Sequence, residues 1–368
     1  MLYTFFFSAT SAIAPFLALQ PAHIIRQDHI STTSSSTAIV TASTPKFRVE
    51  GNQIKDSHGQ EFIPVGFNSV HVWLNENAAR QGLAAEISKT KANTVRLVTA
   101  GEAWTWNSQS HTSAKKKELV ELALKANLVP ILELHDGTCV EAYDYPAFDG
   151  KMGLKQIVDH WLLPGNAALL KQYSDTLWLN IANEWGPADN PDWKDGYVKS
   201  IARLRKAGIT NLLVIDAGGC GQDAHSLLKW GNEVAASDPL KKVVLSIHMY
   251  GFWVTNDKPF DPSWQFKVED TLPQLKALKA PVMIGEFGWD TPPGSNSSGF
   301  NPNILLKMAN DLRLGWLFWA WHSNPEETSL NAVSDPGSYD LTEIGKILVN
   351  DPEVGLKALA TMREPQRR

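Results

Sequence analysis

Residues 177–219 read LWLNIANEWGPADNPDWKDGYVKSIARLRKAGITNLLVIDAGG. Two near-continuous apolar runs, Leu177 to Glu184 and Asn211 to Gly218, flank a segment from Trp193 to Gly208 whose apolar residues recur at helical spacing. Strands that are apolar on both faces belong to a parallel sheet covered by helices, so the stretch predicts one strand-helix-strand unit. The same alternation extends in both directions. Further runs are Phe62 to Asn68, Thr94 to Ala100, Val129 to Asp136, Val243 to Tyr250, Pro281 to Gly288 and Leu314 to Trp321. Helical periodicity also marks Ser113 to Ala126, Gln222 to Ala236, Phe266 to Ala280 and Pro302 to Leu312. About eight such units without a Gly-rich phosphate loop favour a single α/β domain closed as a (β/α)8 TIM barrel over an open doubly wound sheet.

At the amino end, residues 47–62 pattern as a small hairpin with turns at Gly51-Asn52 and His58-Gly59, expected to plug one end of the barrel. Upstream, residues 31–45 (STTSSSTAIVTASTP) have little to bury, and 23–45 reads as a flexible Ser/Thr-rich leader. Residues 1–22 carry an apolar run with small residues near its end, which reads as a signal peptide and places the protein outside the cell. The catalytic barrel is then 46–368, with Leu341 to Leu359 as its last helix and surface finish.

The chain has 43% apolar and 20% charged residues, ordinary for a globular protein with a substantial core. Its net charge is −5, with no basic block beyond Lys115 to Lys117, so the electrostatic footprint of a nucleic-acid binder is missing. No later segment reaches the roughly 20 apolar residues that span a bilayer, and a soluble monomer is expected. Two cysteines, Cys139 and Cys220, are too few for a metal cage or a disulfide scaffold; one bridge between them is open.

In a barrel of this kind the reactive groups sit at the carboxyl ends of the strands. Read there, the runs offer His71 and Trp73, Arg96, His135-Asp136, Asn183-Glu184-Trp185, Asp216, His248 and Tyr250, Glu286, and Trp319 and Trp321. Glu184 and Glu286 end the fourth and seventh strands and can face each other across the mouth. Glycoside cleavage needs such a pair, one carboxyl group to protonate the leaving oxygen and one to attack the anomeric carbon, about 5 to 5.5 Å apart in a retaining enzyme. Each charge opposes ionisation of the other, which keeps one of the two protonated near neutral pH. Arg96 is placed to pair with a carboxylate, Tyr250 to donate to the nucleophile, and Asn183 to hold a sugar hydroxyl. Eight tryptophans, at 73, 104, 106, 185, 253, 289, 319 and 321, fall at or just beyond strand ends, where flat rings can stack on pyranose faces; about a third of them are expected to serve packing only.

These stretches, GFNSVHVW, ANTVRLV, LELHDGT, LNIANEW, VIDAGGCGQD, VLSIHMYG, VMIGEFG and LGWLFWAWHSN, resemble glycoside hydrolase family 5 in order, and more narrowly its bacterial-type endo-β-1,4-mannanases. The resemblance implies Glu184 as acid/base and Glu286 as nucleophile of a retaining double displacement. It carries Arg96, His135, Asn183, His248, Tyr250 and Trp319 over as active-site positions, and His71, Trp73 and Trp104 as residues lining the negative subsites; Trp321, from its strand-end position, is also expected to bind substrate. No metal or organic cofactor is implied, and the partner is a β-linked polysaccharide: mannan, glucomannan or galactomannan. Two departures stand out: Ser69 where these mannanases have a His, and Cys220 where they have a Trp. Cys139 and Cys220 follow strands on either side of the fourth, so a disulfide over the cleft floor is one outcome. The alternatives are an endo-β-1,4-glucanase using the same pair, a metal-dependent hydrolase, for which the first strand lacks a His-x-His, and a carbohydrate-binding protein without catalysis.

Overall fold

The computed structural model describes residues 47–74, 76–101, 112–257, 266–288, 301–325 and 328–363. The expected signal and leader segments, and Trp104, Trp106 and Trp289, lie outside the described residues.

A two-stranded antiparallel hairpin, β1 (Arg48–Glu50) and β2 (Gln53–Lys55), precedes the barrel. Then follow β3 (Val65–Val70), β4 (Thr94–Thr99), β5 (Val129–Leu134), β6 (Trp178–Asn180), β7 (Leu213–Asp216) and β8 (Val243–Met249). A short parallel pair, β9 (Trp253–Val254) and β10 (Phe266–Lys267), comes before the last two barrel strands, β11 (Val282–Phe287) and β12 (Gly315–Phe318). The eight longer-range partners close in the order β3 to β8, then β11 and β12, all parallel, with β12 returning to β3. Every one of the eight apolar runs supplies one barrel strand.

The helix over Pro191–Lys206 shows why the intervening segments coil. Asn190 caps it, its side chain accepting from the Asp192 N–H at 2.9 Å, Pro191 occupies the first turn, and Arg203, Arg205 and Lys206 oppose the dipole at its end. Trp193, Tyr197, Ser200, Ile201 and Leu204 form its buried stripe. Elsewhere the helical expectations need correction. Phe266 and Lys267 pair with Trp253 and Val254, so the helix there starts at Val268. The expected Gln222 to Ala236 helix is broken by a wider π turn over Leu227–Gly231. Two helices, Leu154–Trp161 and Pro164–Gln172, occupy the long link before β6. The tail forms two helices, Glu343–Asn350 and Leu356–Arg363, because the residue before Pro352 is biased away from helical geometry. Among the described residues no helix is long and apolar enough to cross a membrane.

The barrel interior changes character along the strands. Its lower layer is Ile131, Trp178, Val214, Val244, Met283 and Leu317, and Phe47 and Ile54 of the hairpin region join this cluster. The Phe47 ring meets Trp178 edge-on at 5.2 Å, so the hairpin closes the amino end of the barrel as expected. Two residues further along the same strands, on the same face, come Glu133, Asn180, Asp216 and Ser246, all buried. A further step brings His135 and His248. The apolar floor therefore supports a polar layer, and that layer supports the mouth.

Candidate active site

Arg96 is the hub of the polar layer. Its Nε donates to Asn180 Oδ1 at 2.9 Å, Nη1 to Asn68 Oδ1 at 3.0 Å and to Glu286 Oε1 at 2.6 Å, and Nη2 to Asn183 Oδ1 at 2.6 Å. Asp216 Oδ2 lies 3.5 Å and Glu133 Oε2 4.0 Å from Nη2. Burial works against the guanidinium charge, but Glu133, Glu286, Asp216 and Glu184 outweigh it and hold the proton more firmly than in water. The planar fork with five donors is what lets one side chain hydrogen-bond to β3, β11, β6 and the segment that follows β6.

Glu286 reaches the interior through a β-bulge. Ile284 pairs with Ile247 of β8, yet Glu286 pairs with the next residue, His248, so Gly285 is the extra residue. Met283 belongs to the interior cluster and Ile284 and Phe287 to the layer beneath the helices. Simple alternation from Met283 would have turned Gly285 inward and Glu286 outward; the bulge reverses this. A Cβ on Gly285 would overlap Ser246 Oγ, so only glycine fits. Both Glu286 oxygens are engaged: Oε1 by Arg96 and Oε2 by the Tyr250 hydroxyl, which donates at 3.0 Å.

Glu184 stands where the chain leaves the β6 ladder, in a left-handed backbone conformation (φ +50°) that costs a non-glycine residue about 1 kcal/mol or more. Three hydrogen bonds hold it. Its N–H donates to Asp216 Oδ2 at 3.1 Å, its C=O accepts from the Cys139 N–H at 3.3 Å, and Oε1 lies 2.9 Å from His248 Nδ1. The same Nδ1 is 3.5 Å from Glu286 Oε2. One atom from each of Glu184, His248 and Glu286 falls within 4.8 Å of the others.

The charges are graded. Burial pushes the Glu184 carboxyl above the usual carboxylate range, partly offset by His248, and the Glu286 charge adds to the rise. Burial disfavours a charged His248, but Glu286, Asp216 and Glu184 raise it to about 10. Asp216 is buried too, yet His248 and Arg96 hold it down to about 2. Burial and the neighbouring carboxylates keep the Tyr250 phenol protonated. The Glu184-His248-Glu286 group has the donors of a cation site, but Arg96 and a protonated His248 already supply positive charge there.

Above this layer, His135 stacks on Trp319 (centroids 5.5 Å, planes 20° apart) and meets Trp73 edge-on at 5.4 Å. Trp73 donates to the Ser323 carbonyl at 2.9 Å and is half-buried. The Trp319–Ala320 peptide is cis. Three other strand-end tryptophans are core instead. Trp185, Trp253 and Trp321 are fully buried and donate to the carbonyls of Ala142, Gln222 and Pro336. The expectation that Trp321 contacts substrate is therefore corrected: its ring packs edge-on against Phe67 with 1% exposure. His71 is likewise not a cleft-lining group. It is fully buried with Nε2 3.0 Å from Ser69 Oγ, and burial together with Arg80 lowers it to about 3, so it stays neutral.

Asn183 is tied at both ends of its amide, accepting from Arg96 and donating to Thr138 Oγ1 at 2.7 Å. Asp216 was one of the strand-end candidates but was given no role, and Asn68, Glu133 and Asn180 were not among the expected site residues, although each is a polar residue inside an otherwise apolar strand. Cys139 and Cys220 are joined by a disulfide.

Two glutamates from strands three places apart around a (β/α)8 ring converge at its carboxyl end beside an aromatic wall, which defines a barrel glycoside hydrolase. Residues 55–325 match the family described as Cellulase (glycosyl hydrolase family 5), and the chain belongs to glycoside hydrolase family 5. A mannan endo-1,4-β-mannosidase of Salipaludibacillus agaradhaerens is 32% identical over 306 residues, 83% of this chain and 91% of the relative. One from Streptomyces lividans is 32% identical over 77% of this chain and 68% of its own length. Among solved structures, a β-mannanase of Thermomonospora fusca in complex with mannotriose superposes with a TM-score of 0.69 at 27% identity, covering 86% of this chain and 96% of that one.

Proposed function

We propose that the protein is a secreted, monomeric, retaining endo-β-1,4-mannanase, with Glu184 as acid/base and Glu286 as nucleophile. The observation that carries this reading is the separation of the two carboxylates, with oxygens within 4.8 Å. That is near the range of retaining enzymes and well short of the roughly 6.5 to 9.5 Å that leaves room for an inverting water.

In the first step Glu286, oriented by Arg96 and Tyr250, attacks the anomeric carbon while Glu184 passes its proton to the departing glycosidic oxygen. Water enters, Glu184 takes its proton, and the hydroxide oxygen displaces Glu286, so the product keeps the starting configuration. Burial of Glu184 suits it to the first role, since it must begin protonated. His135, Trp73 and Trp319 offer the apolar faces that a pyranose ring stacks on, and the second amide proton of Asn183 is the group proposed to hold the 2-hydroxyl. Secretion is supported by the oxidised cysteine pair, which suits an oxidising compartment.

Hydrolysis of galactomannan, glucomannan and carboxymethyl cellulose, each assayed separately with the purified protein, tests the substrate. The family's description as cellulases favours the glucanase as second reading, and activity confined to the cellulose derivative would select it. Proton NMR of the first product tests the stereochemistry: an α-configured reducing end released first would reject the retaining assignment.

A further inference from the structure

We propose that the Cys139–Cys220 disulfide is a positioning device for Glu184: it clamps the loops after β5 and β7 together over the end of β6 and so holds the acid/base in its reactive placement. The inference rests on the acid/base reading of Glu184 given above.

Both ends of the bridge abut the acid. The cysteines are 81 residues apart in the chain, and the segment between them contains β6, Glu184 and the following helix. On one side, the Cys139 N–H donates to the Glu184 carbonyl at 3.3 Å, the neighbouring Thr138 hydroxyl accepts from Asn183, and the Val140 carbonyl accepts from the Gly186 N–H at 3.0 Å. On the other side, the Gly219 N–H donates to the Gly186 carbonyl at 2.8 Å, and the Gly221 carbonyl accepts from the His248 N–H at 2.8 Å. Gly221 also packs so tightly that a Cβ there would lie 2.8 Å from the His248 ring and 3.0 Å from Glu184 Cγ. The residues adjoining the two sulfurs thus grip the backbone, the side chain and the imidazole partner of one glutamate.

Glu184 requires such a grip. Glu184, Cys139 and Cys220 all occupy the left-handed region, at φ +50°, +57° and +54°. Three non-glycine residues in that conformation persist only when the surroundings over-determine them. Cutting the bridge frees two of the three and releases the backbone wall beside Glu184 Cγ. Water then reaches the carboxyl group, whose raised proton affinity comes first from burial. A disulfide that only shortened the unfolded chain would stabilise the fold from any location; at this location it also sets the chemistry.

The test compares wild type with Cys139→Ser/Cys220→Ser on two substrates, β-mannan and 2,4-dinitrophenyl β-mannobioside. Cleavage of the first needs a proton on the leaving oxygen; dinitrophenolate departs without one. We expect kcat on mannan to fall about ten- to a hundredfold with KM within about twofold, and the basic limb of the pH profile to move to lower pH. On the dinitrophenyl glycoside, kcat/KM stays within about twofold. Wild type reduced by dithiothreitol, with both thiols counted by Ellman's reagent, should behave as the double variant does, and covers the case in which that variant does not fold. A lowered Tm with rates and pH profile unchanged on both substrates would overturn the proposal, as would equal losses on both. Glu184→Ala with the bridge intact is the independent check. If it lacks the substrate split, the acid/base role fails and the proposal with it. If it shows the split and the bridge variant does not, only the proposal fails.

Discussion

Asp216 Oδ2 accepts the backbone N–H of Glu184 at 3.1 Å, and the same oxygen stands 3.6 Å from His248 Nε2. A carboxylate one strand away therefore fixes the backbone of the proposed acid while its charge helps keep that acid's imidazole partner protonated. Replacing Asp216 by Asn keeps an acceptor for the amide but removes the charge. His248 should then titrate below its present value of about 10, and kcat/KM should fall about tenfold or more, since general acid catalysis supplies about 100- to 10,000-fold. An NMR titration of His248 together with the pH–rate profile checks it; an unmoved histidine would dissociate Asp216 from the site.

Arg96 should be the costliest single side chain to remove from the layer. It faces Glu286, Asp216 and Glu133, all buried, and uncompensated buried charge costs about 3–5 kcal/mol. Arg96→Met is expected to lose about that much stability in denaturant unfolding at pH 7 and less at pH 3, where carboxylates take up protons. Arg96→Lys should recover little, because a single ammonium cannot span the partners on Asn68, Asn180, Asn183 and Glu286 at once.

Gly285→Ala tests the bulge. The new methyl group collides with Ser246 Oγ and crowds the His248 ring at 3.1–3.3 Å, so the strand must shift where it aims Glu286. Activity should drop about a hundredfold, in proportion to a displacement of about 1 Å at the reacting carboxylate. Adding Ser246→Ala relieves only the first collision and should restore part of the folding stability but little activity. Full recovery of kcat in the double variant would show that the bulge does not set the aim of Glu286.

The barrel was legible because its strands are apolar on both faces and its helices only on one, which leaves two distinct periods in the sequence. The glutamate pair was legible because the ends of such strands are where polar groups collect. What lay between was harder to read. Glu133 and Asn180 follow Ile131 and Trp178 by two positions, so face parity within each run was the available signal for the polar layer. Gly285 left no such signal, since a bulge breaks the alternation from which it would be inferred. Trp185, Trp253 and Trp321 could not be told from the mouth-facing rings, because a strand-end position does not say whether the ring turns toward the mouth or back under a loop.

That distinction is measurable at Trp319 and Trp321, two residues apart. Trp319 stacks on His135 at the mouth, whereas Trp321 fills the space between Phe67 and Tyr339. Trp319→Ala should weaken oligosaccharide binding or kcat/KM by about ten- to a hundredfold, the scale of about 1–3 kcal/mol, in the molecules that remain folded, and should also cost stability because the ring packs against Val70, Val98 and Ala320. Trp321→Ala should cost about 3–5 kcal/mol of stability, with near-normal kinetics in whatever fraction remains folded. Isothermal titration with mannohexaose in a Glu286→Ala background, together with thermal unfolding, separates the two effects; a loss of binding for Trp321→Ala with none for Trp319→Ala would return Trp321 to the substrate.

Stability should depend on pH through three buried groups. Asp216 is held at about 2, below its ordinary 3.8, so its contribution is present above pH 3.8 and is lost as pH falls through 2. His248 is held at about 10, above its ordinary 6.5, so its contribution is complete below pH 6.5 and is lost as pH rises through 10. Asp136 runs against the other carboxylate. Burial raises it to about 6; its Oδ2 accepts from the Gly101 N–H at 2.6 Å, while Oδ1 has no hydrogen-bond partner among the described residues. A carboxyl raised in this way favours the fold below pH 3.8 and ceases to do so as pH rises through 6. Asp136→Asn keeps an acceptor for Gly101 without the charge, so it should stabilise the protein at pH 7 by up to about 3 kcal/mol and by nothing at pH 3.5. Denaturant midpoints for wild type and variant at the two pH values provide the measurement. A gain of equal size at both would mean that the buried charge of Asp136 is not what costs the native state its stability.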